Sequence, residues 1–458
     1  MRKQLFFILS AILILSSCSK DTPNTPPAIP PDTTTKQKLS ISPDTSLLVM
    51  NATLQLTAIF TPADTLNTRI IWSSSDNNIA TVNAYGTVSP VSAGTVVITG
   101  NSEIDSKVKA TAVVQVLKEY DVLLTGKNFY WRNGQYKNLP GGHYDIFEGN
   151  AITLSGNDVY IAGYTVTANL WRVPTYWKNE NPVQLTAEID NVSTMATSLT
   201  VTDTSVYIAG FKSFDPGCPN NCTYEKTNAF YWKSTPAGIT EIPLFDNNTA
   251  YSEANAITTT ANGDVLIAGN NAFDNYYKTS RFWKNQFADS VVFSGYSSYS
   301  TASAIGIIGN DVYVAGTDGC PYTNCVAAAK LWKNNSSSVI TLSRAGAEAA
   351  PTAMFIKGQD IYISGYETNA AQKRVAKFWK VNGSTVTSFD VTKGITNAIA
   401  YSVYVIDDNV FLAGFEEEND GKRIPKYWRV VGNKYVEIIP YITAADATMI
   451  NAIAVKQF

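Results

Sequence analysis

The chain has 458 residues, too many for one ordinary domain, and its 45% hydrophobic content is ample for a buried core. Charged residues make up only 16%, aromatic residues 12%, and the formal net charge is −3. No basic field is present to draw in nucleic acid, so that class of partner is excluded.

Residues 1–18 have the organisation of a targeting segment. Arg2 and Lys3 precede an apolar run from Leu5 to Leu15, which is far shorter than the roughly 20 residues a membrane-spanning helix needs. The run ends in Leu15-Ser16-Ser17-Cys18, which resembles the lipobox of bacterial lipoproteins. That resemblance implies cleavage before Cys18, acylation of its thiol and membrane attachment through several acyl chains. Loss of Arg2 and Lys3 takes the formal charge from −3 to −5. Ser19-Lys20-Asp21 resembles the charged post-cysteine signal of Bacteroidota lipoproteins exported to the outer face of the outer membrane, so a cell-surface location is expected. Residues 19–38, with Pro23, Pro26, Pro27, Pro30 and Pro31 among many threonines, form an extended linker reaching about 60 Å.

Residues 39–117 are expected to be a small β-domain. Leu54-Gln55-Leu56-Thr57-Ala58 alternates as a half-buried strand does. The series Pro62-Ala63-Asp64, Trp72-Ser73-Ser74-Ser75-Asp76, Ile79-Ala80-Thr81-Val82, Gly86-Thr87-Val88 and Ala93-Gly94-Thr95 resembles the bacterial Ig-like group 2 family, which implies a β-sandwich serving as a spacer or adhesive module. Trp72 is expected in its core.

From residue 118 to 458 one motif recurs seven times. A Trp-Lys or Trp-Arg pair appears at Trp131, Trp177, Trp232, Trp283, Trp332, Trp379 and Trp428, every 46 to 55 residues. In step with it run segments such as Val159-Tyr-Ile-Ala-Gly163 and Val312-Tyr-Val-Ala-Gly316. Each unit holds four short β-branched or aromatic runs, called strands a to d here, and none has helical periodicity. The second run is apolar at consecutive positions, so both faces of its sheet must be covered. Seven sheets stacked radially satisfy that need, and the expected fold is all-β: an Ig-like sandwich followed by a seven-bladed β-propeller. Unit one begins at strand b, while the chain ends on Ile450-Asn-Ala-Ile-Ala-Val455, an unpaired strand a. The C-terminal strand is therefore expected to complete the first blade. The units resemble kelch and WD-repeat propellers in strand count and in the Gly after strand b, but not in the signature dipeptides.

Binding residues are expected on the face formed by the b–c and d–a connections, which vary in length while the a–b turns stay tight. On it fall Cys218, Cys222, Cys320 and Cys325, an even set once Cys18 is lipidated. In an exported protein two local disulfides, Cys218–Cys222 and Cys320–Cys325, are expected, with a zinc site as the competing reading. Aromatic residues outside the repeat gather there too: Trp171, Tyr276, Tyr277, Tyr296, Tyr299 and Tyr322 offer flat faces to a sugar ring or a protein partner, or else pack the loops. Glu416-Glu417-Glu418-Asn419-Asp420 is a solvated acidic loop or a faint calcium loop.

A single histidine, His143, and the absence of nucleophile, zinc or phosphate-loop signatures leave no catalytic residue, metal or cofactor to nominate. The reading is a monomeric, lipid-anchored surface protein binding a glycan or a surface protein. A propeller-type glycoside hydrolase or lyase, using two carboxylates from different loops, is the alternative.

Overall fold

The computed structural model describes residues 37–63, 69–143, 146–214, 226–244, 251–272, 278–288, 299–319, 326–334, 339–442 and 447–458. Its regular elements are all strands. Among the described residues no helix is long and apolar enough to cross a membrane. The leader, Cys18, the Pro/Thr-rich stretch up to residue 36 and all four remaining cysteines lie outside the described residues.

The first nine strands are β1 (Lys38–Ser42), β2 (Thr45–Leu48), β3 (Leu54–Gln55), β4 (Thr57–Thr61), β5 (Ile70–Ser74), β6 (Ala80–Val82), β7 (Thr87–Pro90), β8 (Gly94–Ser102) and β9 (Lys109–Val116). They pair as β1-β4, β2-β9-β8-β5 and β3-β7-β6. Alternation in β8 and β9 sends Val96, Ile98, Ala112, Val114 and Val116 into one core with Ile41, Leu56 and Val88. Trp72 packs against this cluster, as the sequence implies. Because β2 runs parallel to β9, both end on the side from which the chain leaves toward Asp121.

The repeat units form antiparallel four-stranded sheets in the order a-b-c-d, so the all-β class expected from the sequence is borne out. In unit two these strands are Phe147–Ser155, Asp158–Val166, Arg172–Lys178 and Asn181–Gln184. Units three and four are joined by one parallel pair, Thr227↔Tyr251. The strand Ala452–Lys456 pairs antiparallel with strand b of unit one, from Asp121↔Lys456 to Thr125↔Ala452. Each strand a touches the strand a of the next unit, and the C-terminal strand touches those of units seven and two.

Two chemical details explain the repeat. Strand a bulges at one residue in each of units two to seven, for example between Gly149 and Ala151 and between Ala302 and Ala304, and Asn451 holds the matching place before the C-terminal strand. Opposite the bulge runs the glycine that ends the Val-Tyr-Ile-Ala-Gly motif. A Cβ at Gly163 or Gly316 would overlap the carbonyl oxygen of Glu148 or Thr301, so no other residue fits there. The tryptophans fill the space between neighbouring sheets. Six of them, Trp177, Trp232, Trp283, Trp332, Trp379 and Trp428, are among the largest fully buried side chains.

The bulged residue also ties its sheet to the next. Asn150 Nδ2 donates to the Ala196 carbonyl at 2.8 Å, Thr197 Oγ1 to Ala254 at 2.6 Å, and Asn255 Nδ2 to Ala302 at 2.9 Å. Ser303 Oγ donates to Pro351 at 2.8 Å, Thr352 Oγ1 to Ala400 at 2.6 Å, and Asn451 Nδ2 to Gly149 at 3.2 Å. In unit seven the bulge carries Tyr401, whose ring lies against Phe415 instead.

At the other end of strand b the Lys and Asn that follow Trp177, Trp283, Trp332 and Trp379 have a clear role. In unit two Asp158 accepts from Asn179 Nδ2 at 2.7 Å and pairs with Lys178 at 2.9 Å, while Asn179 Oδ1 caps the Val159 N–H at 2.9 Å. Units four and five repeat the clasp with Asp264, Lys284 and Asn285, and with Asp311, Lys333 and Asn334. Unit six uses Asp360, Lys380 and Asn382.

The clasps hold their carboxyls below the usual aspartate range. The leading cause is the Asn179 hydrogen bond at Asp158, the Lys284 bond at Asp264, the Lys333 bond at Asp311 and the Asn382 bond at Asp360. A depressed folded-state value gives stability that is present above the unfolded aspartate pKa of about 3.9 and is lost as pH falls through the folded value. The melting temperature should therefore fall as pH drops from about 4 toward 2. A chain carrying Asp158→Asn, Asp264→Asn, Asp311→Asn and Asp360→Asn should show a shallower slope by calorimetry, and an unchanged slope would dismiss the clasps as the acid-sensitive element. A second expectation concerns the last strand. Truncation after Thr448 removes both the Ala452–Lys456 pairing and the Asn451 tie, and should lower the melting temperature of the repeat region far more than loss of an ordinary frayed terminus. A truncated chain melting like the full one would contradict this.

Candidate functional site

The b–c connections of units two, six and seven are tight hairpins of one design. In unit two the Thr167 N–H donates to the Trp171 carbonyl at 2.9 Å, and Thr167 Oγ1 accepts from the Asn169 and Trp171 N–H groups. Asn369 plays that part in unit six: its N–H donates to the Lys373 carbonyl and its Oδ1 accepts from Ala371 and Lys373. In unit seven the bridge runs from Glu418 to Lys422. The fourth residue has positive φ in all three, at Leu170 (65°), Gln372 (56°) and Gly421 (84°), the left-handed corner that such a turn requires.

Each hairpin sets an arginine over an aromatic ring. The ring follows the strand-b glycine and the arginine opens strand c. Arg172 lies 5.0 Å from the Tyr164 ring centroid, Arg374 4.7 Å from Tyr366, and Arg423 4.4 Å from Phe415. Carboxylates complete the clusters. Tyr164 Oη donates to Glu148 at 2.5 Å, and Glu148 also accepts from Asn451 Nδ2 at 2.9 Å. Tyr366 Oη donates to Glu348 at 2.8 Å, and Arg374 reaches the same oxygen at 3.2 Å. Arg423 pairs with Glu417 at 3.6 Å, whose other oxygen accepts from Asn397.

Burial, then the Glu348 hydrogen bond, pushes Tyr366 up to about 12; burial, then the Glu148 bond, raises Tyr164 further still. Both phenols are therefore donors at neutral pH and poor nucleophiles. Asp318, at the end of strand b in unit five, is raised by burial, with Lys330 opposing the shift.

Among the sequence-nominated residues, Trp171 is half-buried at the hairpin end, next to Arg172. Tyr299 opens strand a of unit five, paired with Gly319. Tyr276, Tyr277, Tyr296 and Tyr322, with both cysteine pairs, lie outside the described residues. The acidic stretch of unit seven is engaged by cations: Glu416 meets Lys426 at 2.8 Å, Glu417 meets Arg423, and Asp420 accepts from the Lys422 N–H. Among the described residues no three His, Cys, Asp or Glu side chains converge as metal ligands.

Sequence reasoning missed the ring-and-guanidinium pairs. Their signal was present, an aromatic residue just after the repeat glycine and an arginine eight positions on, in Gly163-Tyr164 to Arg172, Gly365-Tyr366 to Arg374 and Gly414-Phe415 to Arg423.

The N-terminal domain attaches at the opposite end of the sheets. Tyr120 Oη donates to Asp407 in the a–b turn of unit seven at 2.7 Å, and Arg429 Nη1 donates to the Lys118 carbonyl at 2.6 Å. The arginine pairs thus project from the far end.

Residues 37–113 match the bacterial Ig-like domain (group 2). Known proteins otherwise resemble short parts of this chain. An uncharacterized protein of Clostridium acetobutylicum is 29% identical over 24% of the chain and 10% of its own length. An alpha-L-arabinofuranosidase of Bifidobacterium longum is 44% identical over 15% of the chain and 6% of its own length, and a 3-O-alpha-D-galactosyl-alpha-L-arabinofuranosidase of that species is 39% identical over 16% and 6%. The chain therefore spans a tenth or less of these relatives. Among solved structures, a Trypanosoma rangeli sialidase aligns with 64% of the chain and 58% of its own at 11% identity and a TM-score of 0.43. A Dyadobacter fermentans protein of unknown function aligns with 67% of the chain and 96% of its own at 10% identity and a TM-score of 0.44.

Exposed cation–π pairs contribute about 0.5–1 kcal/mol. Arg374→Ala should accordingly cost about 1 kcal/mol or less by urea denaturation, leaving it usable as a binding probe; a larger loss would mark Arg374 as a structural residue.

Proposed function

We propose that the chain is a lipid-anchored surface protein in which the seven units close as one propeller and the face bearing the b–c hairpins binds a glycan without turning it over. Acylation at Cys18, a proline-rich tether and the Ig-like spacer carry that propeller away from an outer membrane. The observation that carries the binding role is the threefold recurrence of a guanidinium over an aromatic ring, at one repeat position, on the face turned away from the N-terminal attachment. The exposed guanidinium groups of Arg374 and Arg423, held in place over their rings, supply donors for sugar hydroxyls, the carboxylates beside them supply acceptors, and the half-buried Trp171 at the hairpin end offers a ring to stack on a sugar. Similarity over short stretches to two enzymes named for arabinofuranoside substrates favours a carbohydrate partner over a protein one.

The second reading, hydrolysis of an extracellular polysaccharide, rests on Asp318. A carboxyl on this face held toward its neutral form by burial has the property of a general acid.

The test is a polysaccharide screen of the chain from Ser19 onward, scored for retention and for product release. Retention that weakens at least about tenfold in Arg374→Ala or Trp171→Ala, with no product, is the expected result. Product that disappears in Asp318→Asn would replace binding with hydrolysis, and neither retention nor product would sink both.

A further inference from the structure

A cleft of about 540 Å³ opens on the other side of the repeat region, where Met50 and its neighbours in the N-terminal domain and the linker at Tyr120 meet sheets one and seven. Its walls include Trp131, Phe411 and Tyr427, and its one deeply buried charge is Arg429, 7% exposed.

Arg429 occupies the repeat position of the cation that follows each strand-c tryptophan. In units one, two, four, five and six that cation meets the aspartate opening strand b: Asp121, Asp158, Asp264, Asp311 or Asp360. Unit seven has Asn409 there, a neutral side chain. Unit three also lacks the aspartate, with Ser205 in its place, but its Lys233 is only partly buried. Arg429 is thus the buried member of the series whose charge is not neutralised.

Its bonds are all to neutral groups. Nε donates to Asn409 Oδ1 at 2.9 Å and Nη1 to the Lys118 carbonyl, and its flat faces lie over Tyr120 at 4.9 Å and Phe411 at 5.4 Å. Nη2 has no partner among the described residues. The nearby carboxylates are taken elsewhere: Asp407 accepts from Tyr120 and pairs with Lys118 at 3.8 Å, and Glu437 pairs with Lys426 at 2.7 Å. Burial pushes Arg429 down to about 10, in keeping with a charge that lacks its counterion. A buried charge without a partner is costly, and an anion entering from the cleft would remove that cost.

We propose that this junction cleft binds a small ring compound bearing a carboxylate, with the anion on Arg429 and the ring against Tyr120, Trp131 and Tyr427. The volume suits a mono- or disaccharide acid. A hexuronic acid and an aromatic acid share this chemistry.

Calorimetric titration of the chain from Ser19 onward with glucuronate, galacturonate, benzoate and 4-hydroxybenzoate, with acetate as a bare carboxylate, tests the assignment and separates the two sources. At least one ring acid should bind saturably with Kd of about 1 mM or tighter and raise the melting temperature. Asn409→Asp restores the counterion that the other units possess. It should weaken binding at least about tenfold while the ligand-free chain melts at the same temperature or higher, so that failure to fold is not confused with loss of the site. Because Asp at 409 lies far from the hairpin face, this loss also separates the cleft from the glycan surface. Three results would overturn the proposal: no ring acid bound at about 10 mM, binding unchanged in Asn409→Asp, or acetate bound as tightly as the ring acids.

Discussion

The structure of the repeat region depends on a belt of side-chain hydrogen bonds between the a strands of successive units. At six junctions the bulged residue, Asn150, Thr197, Asn255, Ser303 or Thr352, or Asn451 at the matching place, donates to a carbonyl of the neighbouring strand a. A bulge leaves one residue outside the ladder, and its side chain is free to point at the next sheet. Each bond adds about 1 kcal/mol net, but leaving a carbonyl unmet in the crowded centre would cost more. The belt therefore sets the spacing between sheets. That spacing in turn admits an indole between them and excludes a Cβ beside the bulge.

A sheet held so firmly at its inner edge can afford variation at its two ends, and the ends differ in character. One end carries the Asp-Lys-Asn clasp in units two, four, five and six, a turn-stabilising device. The other, among the described residues, places guanidinium groups over rings in units two, six and seven. The first closes a turn upon itself, whereas the second leaves guanidinium groups partly open to solvent at the end away from the N-terminal domain. The phenols of Tyr164 and Tyr366, with raised pKa, keep their protons there and direct them at Glu148 and Glu348, which fixes both rings beneath the arginines.

The sequence displayed the period, the strand count and the packing role of the tryptophans, because each residue needed once per unit recurs seven times. It also displayed the Ig-like segment through turn and core residues such as Gly86 and Trp72. The clasps were harder to see, since Asp158 and Asn179 are far apart in sequence and come together only when strands b and c pair. The arginine-on-ring pairs depend in addition on a five-residue hairpin whose left-handed corner is Leu170 in one unit and Gln372 in another, residues that do not advertise such a turn. Trp171 was legible as an odd tryptophan outside the repeat, whereas its neighbour Arg172 looked like any strand-edge cation. The substitution of Asn409 for aspartate has meaning only against the other units, once the clasp is known.

The route by which the N-terminal domain joins the repeat region has a mechanical consequence. A pull on the chain ahead of Leu117 does not peel strand b of unit one away directly, because Tyr120 is gripped by Asp407 and Asn409 of unit seven and lies under Arg429, which also holds the Lys118 carbonyl. The load passes into two neighbouring sheets at once, at the seam where Tyr401 leaves the belt without its usual bond. The junction thus works as a strain relief, spreading over two sheets the tension that arrives ahead of Leu117.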